Sequence, residues 1–183
     1  MSYKSILIIK PSSLGDIVHT LPAVAAIREA HPHAKITWVI NPEWAPLLRG
    51  NRDVDHVHLF PRGQFRGIAT STLLLSWLIK TRALRPDAAV DFQGLLRSAL
   101  IGRISRAGKL FGLSDAREGS RFFYDEMAEV ERTSHSVERY IKLAELLGAN
   151  VHSPLRFRLP TGDPLPRFEA PLPFILLHPF ARG

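Results

Sequence analysis

Seven residues near the amino terminus, Lys10-Pro11-Ser12-Ser13-Leu14-Gly15-Asp16, follow directly on the apolar run Ser5-Ile6-Leu7-Ile8-Ile9. They combine turn formers, two hydroxyls and one carboxylate, so the loop can offer several backbone N–H groups and a single acid to a ligand. No Gly-Lys-Ser/Thr ends it, and it lacks the GxGxxG spacing that lets backbone approach a pyrophosphate. That counts against a nicotinamide-dependent oxidoreductase. Asp16 has two compatible readings. It can cap the following helix, where N–H groups and the macrodipole favour negative charge. It can also be a general base.

The second candidate group is basic. Residues 61–121 carry eleven basic and four acidic side chains, whereas the net charge of the whole chain is +7, so the excess sits in the middle third. Eighteen of the 24 basic residues are Arg, whose planar fork suits carboxylates and phosphates better than Lys does. Arg62, Arg66, Arg97, Arg117 and Arg121 all fall just after expected strands. One such Arg fits a solvated face; the group points to an anionic partner, which by charge alone is a nucleic acid, an anionic membrane or an acidic or phosphorylated sugar. The pairs His31/His33 and His56/His58 lack the further ligands that a closed metal site needs. The chain has no Cys, which excludes disulfides, thiolate metal sites and a Cys nucleophile.

These residues must be positioned by alternating strands and helices. Ser5 to Ile9 reads as a buried strand, and a helix runs from Asp16 to about Ala30, with Pro22 either kinking it or marking where its regular part begins. Lys35–Ile40 is expected as a strand, 42–48 as a helix, and Val54–Phe60 as a strand in which Val54, Val57 and Leu59 stand against Asp55, His56 and His58. Thr70–Leu84 comes next as a helix, 87–92 as a strand, Gly94–Ile104 as a helix and 109–112 as a strand. Ser134–Leu147 is the clearest helix, with Ser136 as N-cap and Val137, Ile141, Ala144 and Leu147 as its stripe. This alternation predicts a doubly wound α/β domain with a parallel sheet covered on both faces.

From 151 to 172 the chain is Pro-rich without helical period and reads as an interdomain linker after domain 1–150. Residues 173–183 read as the first strand of a second domain that the chain, stopping at Gly183, leaves incomplete.

Hydrophobic residues make up 45% and charged residues 22%, ordinary for a folded domain and unlike a disordered one. The early apolar run is too short for a secretory signal. The uncharged stretch 67–79 is well short of the ~20 residues that span a bilayer. The chain therefore reads as cytosolic. Residues 68–79 suggest a core helix, or alternatively one whose Trp77 and leucines dip into a membrane surface.

The run Ile8 to Ala23, with its Ser-Ser-x-Gly-Asp loop and His-Thr-Leu-Pro-Ala helix start, resembles the opening of the ADP-heptose:lipopolysaccharide heptosyltransferases (glycosyltransferase family nine), most of all their heptosyltransferase I branch. Asp91-Phe92-Gln93-Gly94-Leu95 with Ser98, Ala116-Arg117-Glu118 and His135-Ser136-Val137-Glu138-Arg139 resemble three further family stretches in the same order. The resemblance covers the amino-terminal half of such an enzyme. It implies a GT-B fold, two Rossmann-like domains across a cleft, with the acceptor on the first and the sugar nucleotide on the second. It implies Asp16 as the base in an inverting transfer of heptose from ADP-heptose to a lipid-linked acidic sugar of the lipopolysaccharide inner core, without metal, cofactor or nucleic acid. By resemblance Arg62, Arg66 and Arg117 match acceptor-contacting basic positions, and Ser12, Ser13, Gly15 and Gln93 stand in the matching motifs; with Arg97 and Arg121, placed there by position and charge, they are expected to face the acceptor, at the cytoplasmic face of an inner membrane. The competing class is a non-catalytic basic module that binds an anionic glycolipid or nucleic acid.

Overall fold

The computed structural model describes residues 2–61, 63, 71–150, 154–163, 173 and 175. Among them, six parallel strands form one sheet: β1 (Ser5–Ile9), β2 (Lys35–Ile40), β3 (His56–Leu59), β4 (Ala88–Asp91), β5 (Lys109–Leu113) and β6 (Glu126–Ala128). The order across the sheet is β3-β2-β1-β4-β5-β6. Parallel neighbours need crossover connections. These contain α1 (Leu14–Ala30), α2 (Ser71–Ala83) and α3 (Leu96–Ile104), and α4 (Ser136–Glu145) comes after β6. The chain winds outward from β1 to β3, then returns to lay β4 beside β1. Strand order reverses there, at the carboxyl ends of β1 and β4, the place where open α/β sheets bind ligands.

Period-2 alternation splits the core in two. Ile6, Ile8, Ile36, Trp38, Val90 and Phe111 pack on one face under α1 and α4, with Ile17, Leu21 and Leu143. Leu7, Ile9, Val39, Ala89 and Leu110 pack on the other under α2 and α3, with Trp77, Ala99 and Ile101. Strands buried on both faces read as continuous apolar runs, as β1 and β2 do.

Several expectations shift. Residues 42–48 form a 3-10 rather than an α-helix; Pro46 within it has no N–H for an α-helical bond. α1 passes through Pro22 without a break in its span. The N-cap of α4 is His135, whose Nδ1 accepts from Val137 N at 3.3 Å, and Ser136 is the first helical residue. Its buried stripe is Val137, Tyr140, Leu143, Ala144 and Leu147, with Ile141 half-buried. On edge strand β3 the apolar residues of the alternation face outward. Val57 and Leu59 are exposed, while His58 turns inward to stack on Trp77 and meet Thr81 Oγ1 at 2.9 Å. The short strand β6 and the 3-10 turn Ser120–Phe123 were not anticipated. Residues 154–163 have no regular structure and lie against the domain through Arg158–Asp53 and Arg156–Glu29 ion pairs. The strand expected at 174–179 lies outside the described residues.

Candidate active site

The loop after β1 delivers Asp16 to the carboxyl edge of the sheet. α1 begins at Leu14 with Ser13 as N-cap, so Asp16 stands at the third helical position. Its Oδ2 accepts from Ser13 N at 3.2 Å and Ser13 Oγ at 2.9 Å. The acid thus caps from inside the first turn, as one arm of a capping box. Its side chain remains 39% exposed, so one oxygen is engaged and the group still faces solvent. Ser12 is half-buried and Gly15 exposed. A Cβ at Gly15 would meet nothing, so packing does not demand a glycine there and its effect is to leave room above the loop.

The loop after β4 stands at the same edge of the sheet. Asp91, fully buried, accepts from Ser98 Oγ (2.7 Å), Tyr124 OH (2.9 Å), Gln93 N (2.9 Å) and Gly94 N (3.1 Å). Burial pushes its carboxyl pKa up, and these four donors oppose the shift. The network fixes a turn in which Gly94 takes φ +68°, a conformation that favours glycine. Tyr124 reaches Asp91 across Gly112, where a Cβ would lie 2.2 Å from its ring. Gly94 O then accepts from Arg117 N at 2.8 Å, which joins the loops after β4 and β5.

Between these loops and α4 lies a cavity of about 380 Å³ lined by Gln93, Arg117, Arg132 and Arg139 together with Asp115 and Ala116. Arg139 pairs with Asp115 at 2.9 Å. Arg139 Nε and Gln93 Oε1 are buried without a protein partner, one a donor and one an acceptor. A larger depression of about 850 Å³ lies beside residues 157–163 and contains none of the expected site residues. Chemistry, not volume, marks the smaller one.

Ser12, Ser13, Gly15 and Asp16 follow β1, and Gln93 and Arg117 follow β4 and β5, at the same carboxyl edge of the sheet; of these, Gln93 and Arg117 line the cavity and the residues of the first loop do not. Arg97, exposed on the first turn of α3, and Arg121, exposed in the 120–123 turn, are not among the residues lining the cavity. Arg62 and Arg66 lie outside the described residues. Arg132, Arg139, Asp115 and Lys10 were missed. His19 and His135, one from each end of the recognisable sequence, meet with ring centroids 5.0 Å apart. That contact brings the first and last motifs to the same edge.

The family model described as Glycosyltransferase family 9 (heptosyltransferase) matches residues 79–172, a span that includes every residue lining the Arg cavity. The chain belongs to glycosyltransferase family 9. Lipopolysaccharide heptosyltransferase 1 of Salmonella typhimurium is 32% identical over 152 residues, covering 78% of this chain and 48% of the relative. The protein of the same name from Pseudomonas aeruginosa is 33% identical over 142 residues, 73% of this chain and 40% of the relative. Among solved structures, E. coli heptosyltransferase WaaC with ADP-2-deoxy-2-fluoro heptose matches with TM-score 0.73 and 28% identity, over 81% of this chain and 50% of that one. E. coli ADP-heptose lps heptosyltransferase II matches with TM-score 0.66 at 21% identity, over 87% and 47%, which shows a shared fold. The chain spans about half the length of the curated relatives it matches.

Proposed function

We propose that this chain is the acceptor-binding half of an inverting glycosyltransferase that moves heptose from ADP-heptose to an acidic, lipid-linked inner-core sugar of lipopolysaccharide. The observation that carries the reading is an Arg-lined cavity at the loops after β4 and β5, on the same sheet edge as the partly exposed Asp16 carboxylate. Asp16 takes the proton from the acceptor hydroxyl, whose oxygen attacks the anomeric carbon as ADP departs from the opposite face. One base suffices, because ADP leaves as an anion that needs electrostatic stabilisation more than a proton.

Arg117, Arg132 and Arg139 bind the acceptor's carboxylate and phosphate groups, and its hydroxyls satisfy Gln93 Oε1. Ser12, Ser13 and Gly15 border the reacting hydroxyl. By the family resemblance Arg62 and Arg66 also bind the acceptor, and the exposed Arg97 and Arg121 add positive charge to that end of the domain. The fluorinated ADP-heptose in the E. coli neighbour supports the choice of donor, and its site is assigned to a second domain outside 1–150. The acceptor's lipid brings α2 to an anionic membrane surface at the cytoplasmic face. Leu75 and Ile79 are exposed on it beside Lys80 and Arg82, whereas Trp77 is buried and donates to Leu59 O at 2.7 Å. Trp77 therefore belongs to the core.

Calorimetry on this chain with an acid-sugar disaccharide and, separately, ADP tests the assignment. The expected result is salt-sensitive binding of the acidic sugar and negligible binding of ADP. Micromolar ADP binding would mean that the nucleotide site has been assigned to the wrong domain.

A further inference from the structure

Lys10 is the last residue before the loop, and its backbone still tracks the sheet. Its N–H donates to Val39 O at 3.3 Å, and its carbonyl accepts from Trp38 Nε1 at 3.1 Å. That anchoring turns the side chain under the loop, where the residue is 3% exposed. Lysine is almost never fully buried unless paired. Here Nζ donates to Phe92 O at 3.1 Å and Tyr140 OH at 3.0 Å and lies 4.0 Å from Asp16 Oδ2. Two of those contacts are neutral. Burial opposes the ammonium and pushes its pKa down to about 8, while Asp16 and then Asp91 raise it and Arg139 lowers it. An apolar side chain of similar length would fill this space without the desolvation cost. The fold alone does not call for an ammonium here.

We propose that Lys10 is the positioning residue for Asp16: its buried ammonium, anchored on Phe92 O and Tyr140 OH, holds the base carboxylate in register with both walls of the acceptor cavity. Phe92 directly precedes Gln93 and Tyr140 directly follows Arg139, so one side chain ties the base to the two sides that grip the acceptor. This rests on the reading of Asp16 as the base. After Asp16 has taken the proton from the acceptor hydroxyl, it passes that proton to water. Lys10 keeps its own protons throughout. Asp16 on α1, Asp91 on β4, and Arg139 and Tyr140 on α4 are the charged and titratable groups that face it. Burial pushes the Tyr140 hydroxyl up, so it stays protonated as Lys10 titrates.

The test is Lys10→Met in the complete transferase, with kcat and KM followed from about pH 6 to about pH 10. The wild type should lose kcat as pH rises through about 8. Lys10→Met should lack that alkaline fall and run roughly ten- to a hundredfold slower at neutral pH, the scale of a catalytic group misplaced by about 1 Å. Its donor KM should stay within about twofold, since only transition-state geometry is lost. Wild-type kcat with the alkaline fall intact in Lys10→Met overturns the proposal. A second measurement does not depend on that variant folding: NMR titration of the Lys10 Nζ in this chain and in Asp16→Asn. Its midpoint should move to lower pH in Asp16→Asn, because a carboxylate 4.0 Å away is lost; an unmoved midpoint overturns the coupling. Full turnover in Asp16→Asn would instead remove Asp16 as base. Lost turnover there, with wild-type behaviour in Lys10→Met, removes the Lys10 proposal alone.

Discussion

Arg117 leaves the loop after β5 with its backbone clamped to Gly94 and its side chain lining the cavity. Truncating it should remove a charged hydrogen bond to an acidic sugar without disturbing that clamp. Arg117→Ala should therefore weaken acid-sugar binding by about 1.5–3 kcal/mol and leave the melting temperature nearly unchanged; unchanged affinity in calorimetry would take Arg117 out of the site. At this scale legibility tracked exposure. Asp16 and Arg117 stood in loops after apolar runs, where polar residues invite a functional reading. Lys10 looked like the first loop residue, and nothing local shows that its side chain folds under the loop. Arg132, in the turn before α4, and Arg139, on α4 and within a family stretch, carry no local sign of the cavity they line, which forms only where α4 packs beside the loop after β5.

The elements are pinned at their starts by carboxylates on strand N–H groups. Asp55 accepts from Ile36 N at 2.7 Å at the opening of β2 and pairs with Arg28. Asp125 accepts from Leu110 N at 2.7 Å in β5 and pairs with Arg103 at 2.9 Å. Burial works against both charges, but these hydrogen bonds and Arg partners prevail and hold both pKa values below the ordinary carboxylate range. A carboxylate with a depressed folded-state pKa contributes stability above its unfolded value, lost as pH falls through the folded one. Acid unfolding should accordingly begin below about pH 4, the unfolded Asp value. The double variant Asp55→Asn/Asp125→Asn should flatten the melting temperature between about pH 4 and about pH 2. An unchanged slope would show that other carboxylates govern it.

α2 carries a different expectation. Ile79 is 61% exposed and Leu75 58%, beside cationic side chains that anionic lipid attracts. Sedimentation with anionic vesicles should capture the wild type and lose most of the Leu75→Glu/Ile79→Glu double variant, with neutral vesicles capturing little of either. Equal capture would move the membrane contact elsewhere. Period and apolar runs alone made most of the elements legible, β1 and β2 most sharply because burial on both faces leaves an unbroken apolar signature. β6 was not, because three residues with a single buried position carry no period. In β3 the alternation marks the strand but not which side turns inward, because on this edge Trp77 offers His58 a ring to stack on.

For the whole molecule, the sheet brings together residues far apart in sequence. The ends of β1 and β4 are neighbours because the chain crosses back past β1, and α4 packs on α1. Strand–helix alternation predicted that architecture, and four short motifs predicted the family. Asp16 at this junction is the proposed base. Asp16→Asn in the complete transferase, with ADP-heptose in single-turnover transfer, tests it most directly. Asn keeps the shape and most of the capping, so the stability loss should stay under about 1 kcal/mol, and acceptor affinity should hold or rise as a negative charge leaves an anion site. The rate should fall by roughly 10²–10⁴, the usual contribution of a general base. Near-wild-type turnover by a folded Asp16→Asn enzyme would contradict the account and leave Asp16 as one arm of a helix cap.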